Sequence, residues 1–529
     1  MKADLVIAGG TVIDGTGAPP RVADVAVCGD EIIAVDRLPL GDAQVVDATG
    51  LIVAPGFVDI HSHSDYTLLV DPRASSAVHQ GVTTEVIGNC GFGCFPLRDA
   101  ALARTAIYGV SDAQALDWSS PAEYLARLEA ARPAVNVLSL VPNGQLRLST
   151  VGLEERPATA GELKQMGRLL SEGLADGAWG YSTGLEYGAE IGAPEAEITH
   201  LCGITARAGA LYATHTRRRD AGAAEAVAEA LRTARNAEVR LQVSHLLPRN
   251  GPIEAERCIA LVDAAAHAGQ DVAFDMHTRR YGLTYLHTML PPWVLARDRE
   301  GIAAALSNDH DRARMKDHRS IFSAGNDWTR VVLLDNPVWP QYARRSFSDI
   351  ATERGQDPFD TAFDLLRGST DNLTSMMAII NCYDEDEQER CFTHPLCVPG
   401  SDATDLAPDG PLADTFFHGA YTWAAWYFRF MVRQRGALSA QEAIHRLSGR
   451  PASVLGLSDR GVLRAGARAD LVVFDPDQFA DRGTTFEPNQ LATGMHHVFV
   501  NGVQTLRAGA ATGQRAGRVL RRTRDQGQW

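Results

Sequence analysis

Between residues 55 and 400 the sequence alternates eight short apolar segments with longer stretches rich in Ala, Leu, Glu and Arg. Residues 121–131 and 223–235 are typical of the longer stretches and have helical character. Parallel strands joined by helices can close into a (β/α)₈ barrel, so the alternation predicts an α/β, TIM-like barrel. The predicted strands are 57–60, 83–87, 135–140, 178–182, 211–214, 239–243, 272–274 and 396–398.

Both ends of the chain have a different pattern, in which short apolar strands are separated by turns rich in Gly and Asp. The pattern covers the first fifty residues and returns at 469–474 and 497–502. It predicts one small β-sandwich formed by both chain termini, unless the two ends form unrelated β segments. The predicted domains are a sandwich made of residues 1–54 and 459–529 and a barrel made of residues 55–458.

The interval before the last predicted strand, about residues 279–395, is far too long for one barrel helix. Very long connections in compact domains usually have a structure or a function of their own. We therefore expect a lid inserted before the last barrel strand. We hypothesise that this lid closes over the binding pocket and shapes specificity.

The 529-residue chain carries a net charge of -15, which disfavours nucleic acids and anionic membranes as partners. No apolar segment has membrane-spanning length and the N-terminal residues lack a signal-peptide pattern, so we expect a cytoplasmic protein. The eight cysteines lack the spacing of a disulfide scaffold, which makes a functional cysteine better explained as a metal ligand. A small molecule is the expected partner, and a homo-oligomer is compatible with the sequence.

Candidate metal ligands stand where the predicted strands end, which is the edge at which a (β/α)₈ barrel carries its chemistry. His61 and His63 follow the first strand, and their spacing puts both imidazoles on one face of an extended chain. Taken alone, this pair has the alternative explanation of two polar loop histidines. The other strand ends contribute Cys90, His215, His245 and Asp402. The joint pattern predicts a metal site.

The ligand types indicate which metal that site prefers. Imidazole, thiolate and carboxylate together suit zinc, whereas magnesium or calcium would be held almost entirely by oxygen. Cys90 has Gly88, Gly91 and Gly93 around it, and glycines let the backbone approach a site closely. A small buried hydrophobic residue is the alternative role for this cysteine. The histidines and the aspartate at the other strand ends favour the role of metal ligand for Cys90.

The sequence resembles the amidohydrolase superfamily and, within it, the branch of the D-aminoacylases or N-acyl-D-amino-acid deacylases. His-X-His at 61–63 and Gly-Ala-X-Ala-Asp-Leu-Val at 466–472 are specific to the superfamily, and Gly-Asn-Cys-Gly at 88–91 marks the branch. The similarity runs over nearly the whole length. The matching segments are 55–65, 81–92, 181–187, 213–215, 243–246, 290–293, 400–402, 449–452 and 461–474.

The resemblance implies a zinc-dependent amidohydrolase that cleaves a non-peptide amide C–N bond, first of all that of an N-acyl-D-amino acid. The residues implied as ligands of the tighter zinc are Cys90, His215 and His245. Those implied for a second, weaker position are His61, His63 and Asp402. In this reading the thiolate takes the place of the carboxylated lysine of many relatives.

The resemblance also implies the catalytic role of Asp402. Zinc would activate a water molecule and polarise the scissile carbonyl, and Asp402 would pass the proton of that water to the leaving nitrogen. A carboxylate can do this if its pKa is tuned upward. Asp402 is therefore the predicted catalytic residue.

The departures from the family concern the substrate. Members that act on free N-acyl-D-amino acids typically carry an arginine shortly after the Gly-Ser/Thr-Asp segment, where it binds the substrate carboxylate. Residues 403–420 contain no arginine here and are acidic. A carboxylate anchor is then expected elsewhere, because an arginine fork suits that group. The predicted substrate-binding residues are Tyr187, Arg217, Arg218, Arg279, Arg280 and His277.

Two further interpretations remain open on the sequence. In the first, the substrate lacks a free α-carboxylate and is a cyclic imide, a lactam, a carbamate or another amide. In the second, the chain is an inert metal-binding homologue, although such a protein would not need every expected ligand together with Asp402.

Overall fold

The structure is a computed structural model that describes residues 2–38, 41–109, 115–322 and 326–523. Its strands belong to three sheets. In chain order they are β1 (Leu5–Val12), β2 (Arg21–Cys28), β3 (Glu31–Asp36), β4 (Gln44–Asp47), β5 (Ile52–Pro55), β6 (Phe57–Asp59), β7 (Val82–Ile87), β8 (Asn136–Pro142), β9 (Gly180–Gly184), β10 (Leu211–His215), β11 (Arg240–Val243), β12 (Val272–His277), β13 (Tyr281–Tyr285), β14 (Val331–Leu333), β15 (Met377–Asn381), β16 (Cys397–Gly400), β17 (Leu471–Phe474), β18 (Met495–Val500), β19 (Val503–Arg507) and β20 (Ala510–Ala511).

The helices connect the strands, and none of those in the described ranges is both long and apolar enough to cross a bilayer. In chain order the helices are α1 (Thr67–Val70), α2 (Ser75–Val78), α3 (Ala100–Ala103), α4 (Pro121–Ala131), α5 (Asn143–Leu148), α6 (Ala160–Ala175), α7 (Glu195–Arg207), α8 (Ala223–Ala237), α9 (Pro252–His267), α10 (Pro292–Leu295), α11 (Arg299–Ser307), α12 (Asp309–Lys316), α13 (Phe347–Arg354), α14 (Pro358–Arg367), α15 (Glu385–Thr393), α16 (Gly419–Phe428), α17 (Ala440–Leu447) and α18 (Gly449–Leu455).

The starts of two barrel helices, α4 and α6, are fixed by local sequence. The Ser120 side chain accepts a hydrogen bond from the Glu123 backbone amide, and the Glu123 side chain accepts one from the Ser120 backbone amide, which forms a capping box at α4. Thr159 and Glu162 form the same box at α6. Such caps satisfy backbone donors that the first helical turn leaves free, so α4 and α6 each begin at a defined residue.

The eight predicted barrel strands are confirmed. Strands β6 to β12 and β16 form one eight-stranded sheet in which every neighbouring pair is parallel. The first and last strands meet just beyond their ends, where the Asp402 amide donates to the His61 carbonyl (2.8 Å) and the His63 amide donates to the Ala403 carbonyl (2.7 Å). The sheet is thereby a nearly closed (β/α)₈ barrel, as the alternation of strands and helices predicts.

The two chain ends meet in one nine-stranded sheet, which confirms that both termini build a single small β unit. Its order is β20-β19-β18-β17-β5-β1-β2-β3, and β4 pairs with β1. The N-terminal β5 pairs with the C-terminal β17, and β5 leads through one residue into the first barrel strand, β6. Apolar residues of both ends share one core, which includes Ile7, Val25, Val53 and Leu471.

A third sheet lies between the last two barrel strands in the chain. Strands β13, β15 and β14 form this antiparallel sheet, and helices α10 to α14 accompany it. The segment has a separate hydrophobic core that includes Leu286, Leu306, Phe347, Phe363 and Leu366. We call residues 281–381 the inserted segment. Its length explains the long interval in the sequence, and its action as a moving lid remains a hypothesis.

Candidate metal centre and active site

The six predicted metal ligands lie together at the carboxyl ends of the barrel strands. They follow or end β6, β7, β10, β11 and β16, where parallel strands bring their last residues to one rim. Cys90, His245 and Asp402 have positive φ angles of 54, 34 and 45 degrees. Left-handed backbone is strained for residues other than glycine, and such strain is typical of functional sites.

Cys90 connects two groups of potential ligand atoms. Its Sγ lies 3.4 Å from His245 Nε2, which is itself 3.1 Å from His215 Nδ1. On the other side, Sγ lies 3.3 Å from His61 Nε2. The first group consists of Cys90, His215 and His245. The second group consists of His61, His63, Cys90 and Asp402. Within each group the ligand atoms lie within 4.8 Å of one another.

This donor set fits zinc. A thiol and two imidazoles that converge from three strand ends match the soft and borderline ligands that zinc prefers. The second group adds a carboxylate, since His63 Nε2 lies 3.3 Å and His61 Nε2 lies 3.5 Å from Asp402 Oδ1. Two neighbouring cation positions that share one sulfur are therefore compatible with these residues.

Buried acidic side chains orient the histidines. Asp275 Oδ1 lies 3.0 Å from His61 Nδ1 and accepts a hydrogen bond from the His245 amide (2.7 Å). Glu186 Oε2 lies 2.9 Å from His215 Nε2, and Glu186 Oε1 accepts from Arg249 (2.5 Å). A carboxylate on one imidazole nitrogen leaves the other nitrogen for a metal, which is a common arrangement around zinc.

Burial keeps the first ligand group uncharged. It lowers the pKa of His215 to about 4 and raises the pKa of the Cys90 thiol to about 11. A cation that binds here must displace the thiol proton, whereas His215 is already neutral near pH 7.

Asp402 differs from the expectation of an upward-tuned carboxylate. Burial acts to raise its pKa, but the His63 ring and the Arg279 guanidinium hold that pKa well below the usual range. Arg279 Nη2 donates to Asp402 Oδ2 (2.8 Å), and its Nη1 donates to the Ser401 carbonyl (2.7 Å). The sequence pattern did not reveal this pairing, which keeps Asp402 ionised.

A narrow recess of about 30 Å³ opens beside the two ligand groups. A larger chamber of about 540 Å³ adjoins it, and Tyr108, Leu283 and Phe417 line both. Leu283 belongs to the inserted segment, as does Ile380 of the recess wall. The inserted segment therefore contributes side chains to the walls of both cavities.

The predicted substrate-binding residues fall into three groups, of which Arg279 forms one, since its guanidinium is engaged by Asp402 and lines neither the recess nor the chamber. Tyr187 and His277 line the recess, and His277 Nε2 lies 3.9 Å from Asp402 Oδ2. Arg217 forms an ion pair with Glu229, and Arg218 forms one with Asp220. The Arg280 side chain is 62% exposed, and its Nη1 lies 3.7 Å from Glu385 Oε1. None of these three arginines lines the recess or the chamber.

Sequence reasoning missed several residues that shape the site. Asp275 at the end of β12 was available from the same strand-end argument that gives the histidines. Glu186, Arg219 and Arg249 lie in segments that carry the family resemblance or follow it closely, but no pattern distinguishes them from surface charges. Only the fold brings them to the recess.

Comparisons with known proteins agree with this architecture. The model of the Amidohydrolase family matches residues 44–279 and 398–506. The chain is 34% identical to an N-acyl-D-aspartate deacylase of Alcaligenes xylosoxydans xylosoxydans, over 98% of this chain and 95% of that protein. The intervening residues 280–397, which the family model passes over, contain the inserted segment.

Two solved structures resemble the whole chain. The N-acyl-D-glutamate deacylase of Bordetella bronchiseptica, complexed with zinc and a phosphonate inhibitor that mimics the tetrahedral intermediate, has a TM-score of 0.80 at 31% identity. A D-aminoacylase studied for its binuclear metal centre, with one-metal activation and second-metal attenuation, has a TM-score of 0.80 at 30% identity. Both comparisons cover 98% of this chain and 100% of the other. The chain therefore belongs to the amidohydrolase family and, within it, to the branch of the D-aminoacylases and N-acyl-D-amino-acid deacylases.

Proposed function

We propose that this protein is a zinc-dependent amidohydrolase that removes the acyl group of N-acyl-D-amino acids. The observation that carries the proposal is the convergence of a cysteine thiol and two imidazoles beside a buried, ionised carboxylate at the barrel rim. Full-length similarity to deacylases supports the substrate class. The reaction cleaves an amide C–N bond outside a peptide chain.

The two ligand groups have different roles in this proposal. Cys90, His215 and His245 would hold the tighter zinc, because a thiolate with two imidazoles is the softer donor set of the two groups. When bound, zinc lowers the pKa of water and polarises the scissile carbonyl. His61 and His63 form the weaker position with Asp402.

Asp402 carries the proton in the proposed reaction. Its ionised carboxylate accepts a proton from the attacking water and delivers it to the leaving amide nitrogen. Because His63 and Arg279 lower the pKa of Asp402, the carboxylate is a weak base, and the transfer requires a water whose own pKa the bound zinc would lower. Arg279 holds Oδ2 and the neighbouring backbone, so the carboxylate keeps one orientation toward the recess. Tyr187 stays protonated, since burial raises its pKa well above the usual value, and its hydroxyl is a neutral donor for the developing oxyanion.

A second candidate function is hydrolysis of an amide, imide, lactam or carbamate that lacks a free α-carboxylate. It is favoured by the outer chamber, whose lining includes Asp335 and Asp414 but no Lys or Arg among the described residues. A free acid that extended into this chamber would meet like charge there.

The test is a matched panel of substrates given to the zinc-loaded protein. The panel contains N-acetyl-D-amino acids, their L-enantiomers, their carboxamides and cyclic imides or lactams. Turnover of the D free acids alone supports the deacylase. Equal or faster turnover of the amidated or cyclic compounds supports the second candidate, and no turnover by a protein that retains zinc supports an inert homologue.

A further inference from the structure

Arg219 is a buried guanidinium that has no acidic partner among the described residues. Only 5% of this residue is exposed, and no Asp or Glu of the described ranges lies within ion-pair distance. Its Nη2 donates to the carbonyls of His245 (2.7 Å) and Leu247 (2.8 Å) and to the Tyr383 hydroxyl (2.7 Å). Its Nε is buried without a hydrogen-bond partner.

The neighbouring arginines are all neutralised. Arg249 pairs with Glu186, and Arg279 pairs with Asp402. Arg217, two residues before Arg219, pairs with Glu229. Arg219 is thus the arginine of the described site region that brings a positive charge without a carboxylate. A buried charge without a counter-ion is costly, so such a residue indicates that an anion completes the site.

The position of Arg219 connects this charge with the chemistry. Arg219 lines the same recess as His215, His245 and Asp402. Arg249 lines it as well, and its Nε also lacks a hydrogen-bond partner. In an N-acyl amino acid the carboxylate carbon is only two bonds from the amide nitrogen. A carboxylate bound beside the ligand groups would therefore bring the scissile amide to them.

We propose that Arg219 binds the α-carboxylate of the substrate and replaces the arginine that is missing from residues 403–420. This inference rests on the proposed deacylase function and names the residue that selects free acids. Nη2 of Arg219 already has three acceptors, so the N–H groups of Nε and Nη1 are the ones left for a carboxylate. A charge-assisted bond from them is stronger than a bond between neutral groups. The acidic chamber then receives the other, uncharged parts of the substrate.

The competing role for Arg219 is purely positional. Its bond to the His245 carbonyl helps to hold a ligand whose φ angle is 34 degrees. Loss of that clamp would displace His245 and would impair every substrate equally, together with zinc retention. Loss of a carboxylate anchor would instead impair free acids and spare their carboxamides.

The experiment compares wild type, Arg219→Met, Arg219→Lys and a control, Arg232→Met, all loaded with zinc. Arg232 lies on α8, is half-exposed and pairs with Glu195. For each variant, kcat and KM are measured with an N-acetyl-D-amino acid and with its carboxamide, and the zinc content is determined. Wild type should prefer the free acid.

In Arg219→Met we expect kcat/KM for the acid to fall by about 30-fold or more, mainly through KM, with a change of less than about threefold for the carboxamide. Arg219→Lys keeps the charge and should lose less. Zinc content and the Arg232→Met control should match wild type. An equal loss for acid and carboxamide, or no loss for the acid, overturns the proposal.

A separate measurement distinguishes this inference from the proposed function. Calorimetry measures the binding of a free D-amino acid, the expected product, to zinc-loaded wild type and Arg219→Met. If no substrate is hydrolysed but the amino acid binds at least about tenfold more weakly to the variant, the anchor stands and the deacylase function falls. Binding that does not depend on Arg219 rejects the anchor, whatever the turnover.

Discussion

The barrel rim and the inserted segment bury different kinds of side chains. Around the rim, burial raises the pKa of several carboxyl groups to about 7, namely Asp59, Asp65, Glu190 and Asp405. In the described part of residues 281–381 no Asp, Glu, Lys or Arg is buried, and the core consists of Leu, Ile, Phe and other apolar residues. The rim tolerates costly buried polar groups, whereas the segment minimises them.

This difference indicates that the rim carries the chemistry and that the inserted segment influences selectivity. The buried polar groups of the rim surround the proposed metal ligands and the proposed proton carrier, and such groups cost stability. An apolar unit supplies walls whose shape can change without disturbing that network. The family model matches the barrel and passes over residues 280–397, which agrees with this division. Changes at the rim should abolish the reaction, and changes in the segment should alter which substrate is preferred.

The largest effect is expected for Cys90→Ser. The substitution removes the sulfur that both ligand groups share, so zinc content should fall to a small fraction of one per chain. Turnover should fall by at least about 10³-fold, because several kcal/mol of transition-state stabilisation come from the metal. Metal analysis and steady-state kinetics measure both. Cys94→Ala is the matched control, since Cys94 is buried in the apolar core nearby and should leave zinc content unchanged.

Asp402→Asn should separate catalysis from metal binding. The amide has a similar shape but cannot take up the water proton, so kcat should fall by about 10²–10⁴-fold. The Cys90, His215 and His245 group is untouched, and the tighter zinc should remain bound. Retained turnover would contradict the assignment of Asp402 as the proton carrier. Loss of all zinc would show instead that Asp402 belongs to the tighter site.

These two predictions rest on residues that the sequence revealed, and physics explains why. A short apolar run followed by His, Cys or Asp fixes both a barrel strand and the chemistry at its end, because the fold gathers those ends at one rim. The roles of the arginines could not be predicted in the same way. Arg217, Arg218 and Arg219 are consecutive in the sequence, yet two pair with acids outside the recess and one lines it. Such a distinction depends on side-chain directions and partners that only tertiary structure determines.

The position and length of the inserted segment could be predicted from the sequence, but its secondary structure and strand pairing could not. Strands β13 and β14 are far apart in the chain, and each pairs with β15, which lies between them in the sheet. No local sequence pattern therefore indicates this sheet. Likewise, the pairing of Arg279 with Asp402 joins residues 123 positions apart. Contacts between residues so far apart in the sequence form only when the barrel closes, so patterns among neighbouring residues do not predict them.

Leu283→Ala tests whether the inserted segment determines which substrate is preferred. Leu283 lines both the recess and the chamber, and its truncation widens the wall between them. The ratio of kcat/KM for a longer acyl group to that for an acetyl group should rise by about tenfold, since one methylene in an apolar pocket is worth about 1–3 kcal/mol. A panel of N-acyl chain lengths measures the ratio.

The control for this variant is Leu306→Ala, in the core of the inserted segment and away from both cavities. It should destabilise the protein by about 2–5 kcal/mol through a cavity, without changing acyl preference. If Leu306→Ala changes selectivity as much as Leu283→Ala does, selectivity follows the general stability of the segment and not its wall.

Glu190→Gln tests the cost of the polar rim and has the smallest expected effect on turnover, because its effect is on stability alone. Burial raises the pKa of Glu190 to about 7, against about 4.3 in an unfolded chain. The folded pKa is higher, so the carboxyl group contributes fully below about pH 4, and that contribution is lost as the pH rises through about 7. Glutamine removes this dependence, which amounts to about 4 kcal/mol in total. Thermal unfolding should show the variant gaining stability relative to wild type between pH 5 and pH 8.

The pH dependence is more informative than the absolute stability of this variant. Glu190 accepts hydrogen bonds from Asn143 Nδ2 (2.6 Å) and the Gly184 amide (2.9 Å), and glutamine can keep both contacts only if the Asn143 amide turns over. That adjustment costs the same at every pH, whereas the ionisation cost does not. The exposed Glu155→Gln supplies the baseline. A difference that stays constant from pH 5 to pH 8 would mean that the Glu190 carboxylate is stabilised as an ion, and the rim would then be a charged network and not a neutral one.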